Sequence, residues 1–398
     1  MDRLVVVGAS LAGLRAVEAA RRQGYGGAIT LIGAEEHLPY DRPQLSKAFL
    51  GIDGPDAVTP YRTESELGGE LDVELMLGAP ADHLDAESRV VSVADRQVSY
   101  DGLVVATGAA SRVLPGSAHL SGVHYLRTVD DALALRTALH GSPRVVIIGA
   151  GFIGSEIASA ARKRDLDVTV VEALDLPLVR SIGPDVGAAC AELHRRNGTA
   201  LRLGASTAGF ESSEGRVTGV RLEDGTILPA DLVVVGIGVR PVTDWLAGSG
   251  VPLHADGGII CDATLATGVP GVYAAGDVAH VANPLFDGDL MRLEHWTNAA
   301  EQGAAAARHL LDPGAASPLS SVPYFWSDWY DHRIQFVGTP RADDVVVTRS
   351  EIDGFTALYR RRDQLVGALT INRPRDIMKL RRRIVQRCAW DDAVASAA

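Results

Sequence analysis

A glycine-rich hexapeptide occurs twice in the chain, each time directly after a run of apolar residues. The first copy, at residues 8–13, has Gly8, Ser10 and Gly13 at its three key positions, whereas the second, at residues 149–154, has glycine at all three. Glycine at the first position permits a tight turn, at the second it lets the backbone approach a pyrophosphate, and at the third it lets a helix pack closely on the strand. The two hexapeptides therefore predict two dinucleotide sites, and Ser10 makes the first signal the weaker one.

Each hexapeptide is flanked by the elements that would position it. A buried strand precedes it, an alanine-rich helix follows it, and a second apolar run then ends near a carboxylate that can accept hydrogen bonds from a ribose. Strand, turn, helix, strand and acid form the βαβ dinucleotide-binding unit, in which the helix N-terminus faces the phosphates. The strands and acids are residues 4–7, residues 29–32 and Glu35 for the first unit, and residues 144–148, residues 168–171 and Glu172 for the second.

Three later strand-and-turn segments extend this α/β pattern, and they end in Thr107-Gly108, in Gly238 and in Gly276-Asp277. From about Pro318 the composition changes. Aromatic residues come first, followed by segments with the alternating pattern of strands and then by a basic, partly helical segment. We therefore predict two Rossmann-like dinucleotide-binding domains and an α+β C-terminal domain. The predicted boundaries are 1–111 with 239–319 for the first domain, 112–238 for the second and 320–398 for the third.

Length and composition exclude several classes of protein. The chain has 398 residues, of which 46% are hydrophobic and 22% charged, so two or three folded domains are expected and wholesale disorder is excluded. No apolar run approaches the roughly 20 residues that cross a membrane, and the N-terminal residues lack the layout of a signal peptide. The three cysteines are isolated from one another, so we expect a cytoplasmic protein without disulfide bonds or a metal site.

The formal net charge of −12 argues against general binding of nucleic acid. Residues 373–387 nevertheless carry seven basic side chains against Asp376 alone, a net charge of +6, which leaves −18 on the remainder. A basic segment on an acidic protein predicts an acidic partner. The predicted docking residues are Arg373, Arg375, Lys379, Arg381, Arg382, Arg383 and Arg387.

The order of these motifs resembles that of the two-dinucleotide-domain flavoprotein reductases, whose architecture is like that of glutathione reductase. Within them, the chain is most similar to the ferredoxin reductases of oxygenase systems, of the putidaredoxin-reductase type. The resemblance covers essentially the whole chain, and its most specific part is residues 38–47, Leu-Pro-Tyr-Asp-Arg-Pro-Gln-Leu-Ser-Lys. The implied cofactors are FAD in the first domain and NADH in the second.

The resemblance also implies which residues contact FAD. Arg42 and Lys47 would lie against the cofactor, with Lys47 near the flavin N5 edge. Either Glu35 or Glu36 would bind the adenosine ribose, and we take Glu35 as the candidate. The full set implied is Gly8, Ser10, Ala12, Gly13, Glu35, Arg42, Lys47, Ala81, Thr107, Gly108, Arg127, Gly276, Asp277, Glu294, His295, Trp296 and Trp326.

For the second domain, the resemblance implies that Glu156 orients the nicotinamide. Glu172 would bind the adenosine 2′-hydroxyl and repel a 2′-phosphate, which favours NADH over NADPH unless Arg180 faces the ribose. The remaining residues implied at this site are Gly149, Gly151, Ile153, Gly154 and Gly238.

The absence of cysteine from residues 42–47 argues against a disulfide reductase of this fold. The implied reaction is hydride transfer from NADH to FAD, followed by single-electron transfers to an acidic [2Fe–2S] ferredoxin that supplies an oxygenase such as a cytochrome P450. The chain is therefore predicted to be an FAD-dependent NADH:ferredoxin oxidoreductase.

Two alternatives to this interpretation are left open by the sequence. One is an NADH-dependent reductase of rubredoxin, a quinone or monodehydroascorbate. The other is an NADH-responsive flavoprotein of apoptosis-inducing-factor type that acts mainly by interaction. Trp329 stands where many relatives carry glutamine, which leaves the partner surface near the flavin undefined.

Overall fold

The computed structural model describes residues 1–51, 54–55 and 57–397, with the side chains of Arg180 and Ala397 outside the description. The chain divides into two compact units. The first unit comprises residues 1–41, 58–110 and 240–323, and the second comprises residues 42–57, 111–239 and 324–398. Among the described helices, none is both long and apolar enough to span a bilayer.

The strands and helices are numbered in chain order through both units. The strands are β1 Arg3–Val7, β2 Ala28–Ile32, β3 Val73–Met76, β4 His83–Asp85, β5 Val90–Val93, β6 Arg96–Ser99, β7 Gly102–Val105, β8 Ala109–Ser111, β9 Val123–His124, β10 Val145–Ile148, β11 Val168–Val171, β12 Ala200–Arg202, β13 Thr207–Ser213, β14 Arg216–Leu222, β15 Ile227–Pro229, β16 Leu232–Val235, β17 Val239–Pro241, β18 Ile259–Cys261, β19 Val272–Ala274, β20 Ala279–Asn283, β21 Asp289–Arg292, β22 Tyr324–Trp329, β23 His332–Gly338, β24 Asp344–Arg349, β25 Thr356–Arg361 and β26 Gln364–Ile371. The helices are α1 Leu11–Arg22, α2 Val129–Ala138, α3 Phe152–Arg162, α4 Val179–Ile182, α5 Pro184–Arg196, α6 Trp296–Leu311, α7 Pro374–Val385 and α8 Trp390–Ala397.

The first unit is built on a parallel sheet with strand order β19-β7-β1-β2-β3. Its central strand β1 is apolar at successive positions because a parallel sheet covered on both faces has no solvent-facing side. Helices α1 and α6 pack against each other, and both contribute to the core of this sheet. Val7 lies opposite Ile32 and Val105, so the three central strands end together.

The second unit contains a parallel sheet of the same kind, with strand order β12-β11-β10-β16-β9. Ile148 lies opposite Val171 and Val235, so here too the strands end at one level. In both units the first strand of the βαβ unit is central, with the second strand on one side and a later strand on the other. The predicted pair of Rossmann-like folds is confirmed.

The C-terminal part of the second unit is an antiparallel sheet with strand order β22-β23-β26-β25-β24. Helix α7 packs on β26 and β23 through Ile377, Leu380 and Ile384, which share one helical face. Pro374 occupies the first turn of α7, where its missing N–H costs no helical hydrogen bond. The predicted α+β character of this region is confirmed.

His194 on α5 is buried in a hydrogen-bond network of the second unit. Its Nδ1 lies 2.7 Å from the Tyr330 hydroxyl and its Nε2 lies 3.1 Å from Ser155 Oγ. Thr199 Oγ1 lies 2.8 Å from the same Tyr330 hydroxyl. Burial lowers the pKa of His194 to about 4, because the charged ring would lose its hydration. The ring is therefore neutral in the folded protein near pH 7.

We expect this ring to destabilise the fold in acid. The unfolded chain takes up a proton near the ordinary histidine pKa of about 6.5, whereas the folded chain does so near 4, so stability falls as the pH drops between these values. This difference in pKa lowers the free energy of unfolding by about 3 kcal/mol once the pH is below both values. Urea midpoints measured from pH 7 to pH 4 should fall less steeply for His194→Gln than for the parent protein. The exposed His140→Gln control should keep the parental slope, and equal slopes for all three proteins would contradict the argument.

Candidate functional site

The first glycine turn places the start of α1 against the end of β1. Gly8 has a φ of +121°, which only glycine adopts without strain. A Cβ on Gly13 would lie 2.0 Å from the Gly8 carbonyl oxygen, so helix and strand approach as closely as glycine permits. Ser10, the N-cap residue, makes no side-chain capping bond, and the first turn of α1 holds no acidic residue. The first N–H groups and the positive end of the helix dipole therefore suit an anion such as a pyrophosphate.

The carboxylate that follows β2 is fixed at the edge of the same sheet. The Tyr40 hydroxyl donates a hydrogen bond of 2.5 Å to Glu35, and the Gly78 N–H donates one of 2.9 Å to the Glu35 carbonyl oxygen. Glu35 is half-buried and Glu36 is exposed, which makes Glu35 the better-oriented of the two acids. Ala81 is partly buried and packs against the core of this unit.

The Gly276-Asp277 turn lies close to the first glycine turn. Gly276 has a φ of +80°, and a Cβ at this position would lie 3.1 Å from the Cβ of Ala12 on α1. Its N–H donates to Gln302 Oε1 at 2.9 Å, which anchors the turn to α6. Two sequence-predicted motifs from opposite ends of the first unit are thereby brought together, with Asp277 half-buried beside them.

The Thr107-Gly108 turn of this unit is held by Val242, which directly follows β17. Thr107 Oγ1 donates to the Val242 carbonyl oxygen at 2.7 Å, and the Val242 N–H donates to the Gly108 carbonyl oxygen at 3.0 Å. Gly108 has a φ of +66°, so glycine suits this position. The side chain of Thr107 and the backbone of Gly108 thus fix the conformation of this turn.

The segment containing Glu294, His295 and Trp296 begins α6. The Trp296 indole N–H lies 2.9 Å from both Asp41 Oδ1 and the Tyr61 hydroxyl oxygen. Burial lowers the pKa of His295 to about 4, so this imidazole is neutral near pH 7. Glu294 forms an ion pair of 2.8 Å with Arg292.

Sequence reasoning missed Asp41 and Tyr61 as the partners that orient the Trp296 ring. The Tyr61 hydroxyl also donates to Asp41 Oδ1 at 2.6 Å, so the three side chains form one closed group. Asp41 lies within the 38–47 motif, which was the available signal for it. Nothing in the sequence around Tyr61 distinguished it from an ordinary buried tyrosine.

The second glycine turn repeats the geometry of the first within the second unit. Gly149 has a φ of +103°, and a Cβ on Gly154 would lie 2.2 Å from the Gly149 carbonyl oxygen. Gly151 is the N-cap of α3, and the first turn of that helix again lacks an acidic residue. Ile153 in this turn is 44% exposed, which is unusual for isoleucine and leaves an apolar surface at the helix start.

Glu172 follows β11 and points back at this turn. Its Oε2 accepts the Ala150 N–H at 2.9 Å and its Oε1 accepts the Leu174 N–H at 3.0 Å. Each carboxylate oxygen has a second lone pair for another donor, so the group is oriented but not saturated. Gly238 lies after β16 in the left-handed region, with φ of +96°. The side chain of Arg180, which the sequence offered as a modifier of this site, lies outside the described residues.

Lys47 and Glu156, which the sequence placed at different cofactors, form one ion pair in the second unit. Lys47 Nζ lies 2.8 Å from Glu156 Oε1. The Glu156 carboxylate is 3% exposed and also accepts hydrogen bonds from the hydroxyls of Ser46 and Ser327. A buried carboxylate is tolerated because a cation and two hydroxyl donors replace its hydration.

The other predicted FAD residues of the second unit are Arg42, Arg127 and Trp326. The Arg42 guanidinium donates to the Arg127 carbonyl oxygen, so these two positions are adjacent. The Trp326 ring stacks on Tyr324 with centroids 5.9 Å apart, and the Arg333 guanidinium lies 5.8 Å from its centroid. The predicted FAD residues are thus distributed over both units.

Trp329, which the sequence associated with a partner surface, is fully buried. Its indole N–H donates to Ser327 Oγ at 2.7 Å, and its ring lies 5.2 Å from that of His194. The residue therefore belongs to the interior of the second unit, because a strand facing α3 turns every second side chain inward. The sequence left the effect of Trp329 on the partner surface undefined, and in the structure the side chain is not exposed.

The seven basic residues of the docking segment divide into two groups on α7 and its flanks. Arg373 and Arg381 are half-buried, and Arg373 pairs with Asp376 at 2.5 Å. The other five are exposed: Arg375, Lys379, Arg382, Arg383 and Arg387. Positions 375, 379 and 382 share one outward stripe of the helix, opposite its buried face.

None of the three cysteines is placed for redox chemistry. Cys190, Cys261 and Cys388 are all buried and unbridged. Burial raises the pKa of both the Cys190 and the Cys261 thiol to about 12, which suppresses the reactive thiolate.

One group of potential metal ligands occurs among the described residues, formed by His254, Asp256 and His280. The Arg292 guanidinium lies 3.0 Å from Asp256 and neutralises the carboxylate charge that a metal ion would otherwise balance. We interpret this group as an ion-pair network of the first unit.

The two units therefore share one local design: a parallel sheet, a glycine turn, an uncapped helix N-terminus and a carboxylate after the next strand. This combination defines a protein that binds two dinucleotides. Residues 2–303 match the family described as pyridine nucleotide-disulphide oxidoreductase, and residues 324–397 match that described as reductase C-terminal.

Individual relatives indicate which kind of oxidoreductase the chain resembles. The chain is 37% identical over 383 residues to rhodocoxin reductase of Rhodococcus erythropolis, covering 95% of this chain and 88% of the relative. It is 36% identical over 401 residues to the ferredoxin–NAD(+) reductase component of the p-cumate 2,3-dioxygenase system of Pseudomonas putida, covering 98% and 95%. The crystal structure of the covalent putidaredoxin reductase–putidaredoxin complex matches with a TM-score of 0.91 and 33% identity, over 97% of this chain and 93% of that one.

The chain belongs to the pyridine nucleotide-disulphide oxidoreductase family and, within it, to the ferredoxin reductases of the putidaredoxin-reductase type. The resemblance stated from the twin hexapeptides and the 38–47 motif is confirmed. The family's description refers to a disulphide, whereas residues 42–47 of this chain contain no cysteine.

The Lys47–Glu156 pair makes a prediction about stability. Glu156→Gln leaves the Lys47 ammonium, which is 15% exposed, without its counter-charge, and should lower the free energy of unfolding by about 3 kcal/mol. The double variant Lys47→Met/Glu156→Gln removes both charges and should recover more than half of that loss. Thermal unfolding of the parent, both single variants and the double variant checks this. A double variant that loses as much as the two single variants together would contradict the coupling.

Proposed function

We propose that the protein is an NADH-dependent ferredoxin reductase that supplies electrons to an oxygenase, in agreement with the named relatives. The observation that carries the proposal is the duplicated glycine turn with its open helix N-terminus, once in each unit. A single dinucleotide site would suit a dehydrogenase. Two such sites allow a dinucleotide substrate at one site to reduce a dinucleotide cofactor that stays bound at the other. The buried, unactivated cysteines support an electron path that involves no disulfide.

FAD is the cofactor that the first site fits. The uncapped start of α1 would hold its pyrophosphate through Gly8, Ser10, Ala12 and Gly13, and Glu35 would bind the adenosine ribose. When bound, FAD accepts two electrons from NADH and releases them one at a time. The proposed FAD-binding domain is residues 1–111 with 239–319, and the residues proposed to contribute beyond those four and Glu35 are Arg42, Lys47, Ala81, Thr107, Gly108, Arg127, Gly276, Asp277, Glu294, His295, Trp296 and Trp326.

NADH is the substrate proposed for the second site, within residues 112–238. The N-terminus of α3 would bind its pyrophosphate beside Gly149, Gly151 and Gly154, with Ile153 offering apolar contact. Glu172 is held by two backbone N–H groups at the end of β11, where a ribose 2′-hydroxyl can donate to it. Glu156 would contact the nicotinamide, and its ion pair with Lys47 fixes the carboxylate in place.

The partner proposed for the C-terminal region, residues 320–398, is an acidic [2Fe–2S] ferredoxin. The exposed stripe of α7 carries positive charge on a chain whose remainder is strongly acidic. Complementary charge raises association rates and orients the encounter, which suits a short-lived electron-transfer complex. Because NADH is an intracellular reductant, we propose that the protein acts in the cytoplasm.

The charge of Glu172 should set the choice between NADH and NADPH. Glu172→Gln removes the charge that repels a 2′-phosphate while keeping one oxygen acceptor for the turn. We expect the ratio of kcat/KM for NADH to that for NADPH to fall about tenfold, since about 1.4 kcal/mol of repulsion is lost. Glu192→Gln on the exposed face of α5 serves as control and should leave the ratio unchanged. An unchanged ratio in Glu172→Gln would remove this residue from the ribose site.

The docking surface is tested together with the activity. The parent protein should reduce an acidic [2Fe–2S] ferredoxin with NADH. The reaction is measured as the loss of the ferredoxin's visible absorbance. Reversing Arg375, Lys379 and Arg382 to glutamate should raise the KM for ferredoxin about tenfold at low salt and leave NADH–ferricyanide turnover intact.

A matched control reverses three exposed arginines elsewhere, Arg89, Arg195 and Arg216, and changes the net charge by the same amount. Its KM for ferredoxin should stay within about twofold of the parental value. Equal effects in both triple variants would show that net charge, and not the α7 stripe, governs the encounter. A parent protein that reduces ferricyanide but no ferredoxin would contradict the proposed function.

A further inference from the structure

The Glu156 carboxylate is held by more than its ion pair. Oε1 receives Lys47 Nζ at 2.8 Å and the Ser327 hydroxyl, and Oε2 receives the Ser46 hydroxyl. Ser46 and Lys47 belong to the 38–47 motif, whereas Ser327 lies far along the chain on β22 and is fully buried. The C-terminal sheet therefore reaches the carboxylate that the proposed function places at the nicotinamide.

The orientation of the Ser327 hydroxyl is set by Trp329. An indole N–H can only donate, and it donates to Ser327 Oγ at 2.7 Å. The serine oxygen is thereby the acceptor in that bond, and its single hydrogen is directed at Glu156 Oε1. The relay runs in one direction, from Trp329 through Ser327 to Glu156.

The backbone explains why these residues face the same way. Successive side chains of a strand alternate between faces, so residues 325, 327 and 329 of β22 share one face. Phe325 packs edge-on against Phe152 of α3 with ring centroids 4.7 Å apart, which directs this face to the helix that carries Glu156. Trp329 has no freedom to turn away, because its ring is fully buried beside Phe152 and His194.

We propose that Ser327 is a positioning residue for Glu156 and that Trp329 sets its hydrogen bond. The inference rests on the proposed function, since it takes Glu156 to be the group that contacts the nicotinamide. Loss of the serine hydroxyl leaves one lone pair of Oε1 without a donor in a buried setting, so the carboxylate turns toward Lys47 and Ser46. The consequence falls on the nicotinamide end of the dinucleotide and spares the adenosine end, where Glu172 acts.

The test compares four variants of the full-length holoprotein. Ser327→Ala removes the donor to Glu156, Trp329→Phe removes the indole N–H while keeping an aromatic ring, and Trp329→Gln restores a donor through its amide. Trp245→Phe is the matched control, because Trp245 is a buried tryptophan whose indole N–H has no hydrogen-bond partner in the described structure.

Two measurements are made on each protein. Calorimetry gives the dissociation constants for NAD⁺ and for ADP-ribose, which lacks only the nicotinamide, and stopped-flow absorbance gives the limiting rate at which NADH reduces the flavin. We expect Ser327→Ala to lower the limiting rate about tenfold and to weaken NAD⁺ binding several-fold, with ADP-ribose binding unchanged. Trp329→Phe should show a smaller change of the same kind, Trp329→Gln should recover most of it, and Trp245→Phe should match the parent.

Two patterns of results in the folded variants would overturn the inference. Equal loss of NAD⁺ and ADP-ribose binding in Ser327→Ala and Trp329→Phe would indicate a general structural role for the pair. Parental values in both variants would show that Glu156 needs neither residue, while leaving the proposed function intact. If Ser327→Ala does not fold, Trp329→Phe and Trp329→Gln decide the matter alone. A parent protein whose flavin NADH fails to reduce would overturn the proposed function and this inference with it.

Discussion

The close approach of a helix to the end of a parallel strand is the constraint on which both candidate sites depend. In each unit the third glycine of the hexapeptide lies so near the carbonyl oxygen of the first that a Cβ would fall about 2 Å from it. The helix consequently begins beside the strand end with its first N–H groups uncapped by any side chain. The carboxylate after the second strand reaches the same level because adjacent parallel strands are in register there. One arrangement, used twice, thus offers backbone N–H groups suited to an anion and a carboxylate suited to a sugar.

The second constraint is electrostatic. Burying the Glu156 carboxylate would be unfavourable on its own, so its position is determined by the groups that replace water around it. Ser46 and Lys47 come from the end of the 38–47 motif, and Ser327 comes from the C-terminal sheet. Two distant stretches of the second unit are thus tied to one side chain of α3. A substitution in either stretch acts on the same carboxylate.

Much of the fold could be predicted because its signals are local. A strand, a glycine turn and a helix follow one another within about 20 residues, and each is marked by residue type alone. The side-chain partnerships were not predictable in this way. Trp296 meets Asp41 and Tyr61 across more than 200 positions, and Glu156 meets Ser327 across 171. Such contacts depend on how strands are ordered in the sheet, which no local pattern encodes.

Trp329 is another residue whose surroundings could not be predicted from the local sequence. The sequence showed only that it stands where many relatives carry glutamine, which left the partner surface near the flavin undefined. In the structure the alternation of β22 turns it inward, where its ring packs beside His194 and its N–H finds Ser327. The basic stripe of α7 was easier to anticipate, because a helix with a buried apolar face must expose the opposite one.

We propose that one chain binds FAD at its first glycine turn and that NADH at the second turn reduces it. The most direct measurement is the visible absorbance spectrum of the purified protein, followed by anaerobic titration with NADH. The account predicts flavin bands corresponding to one FAD per chain, bleached by about one equivalent of NADH. A protein that shows no flavin, even after incubation with FAD, or whose flavin bands persist in excess NADH, would contradict it.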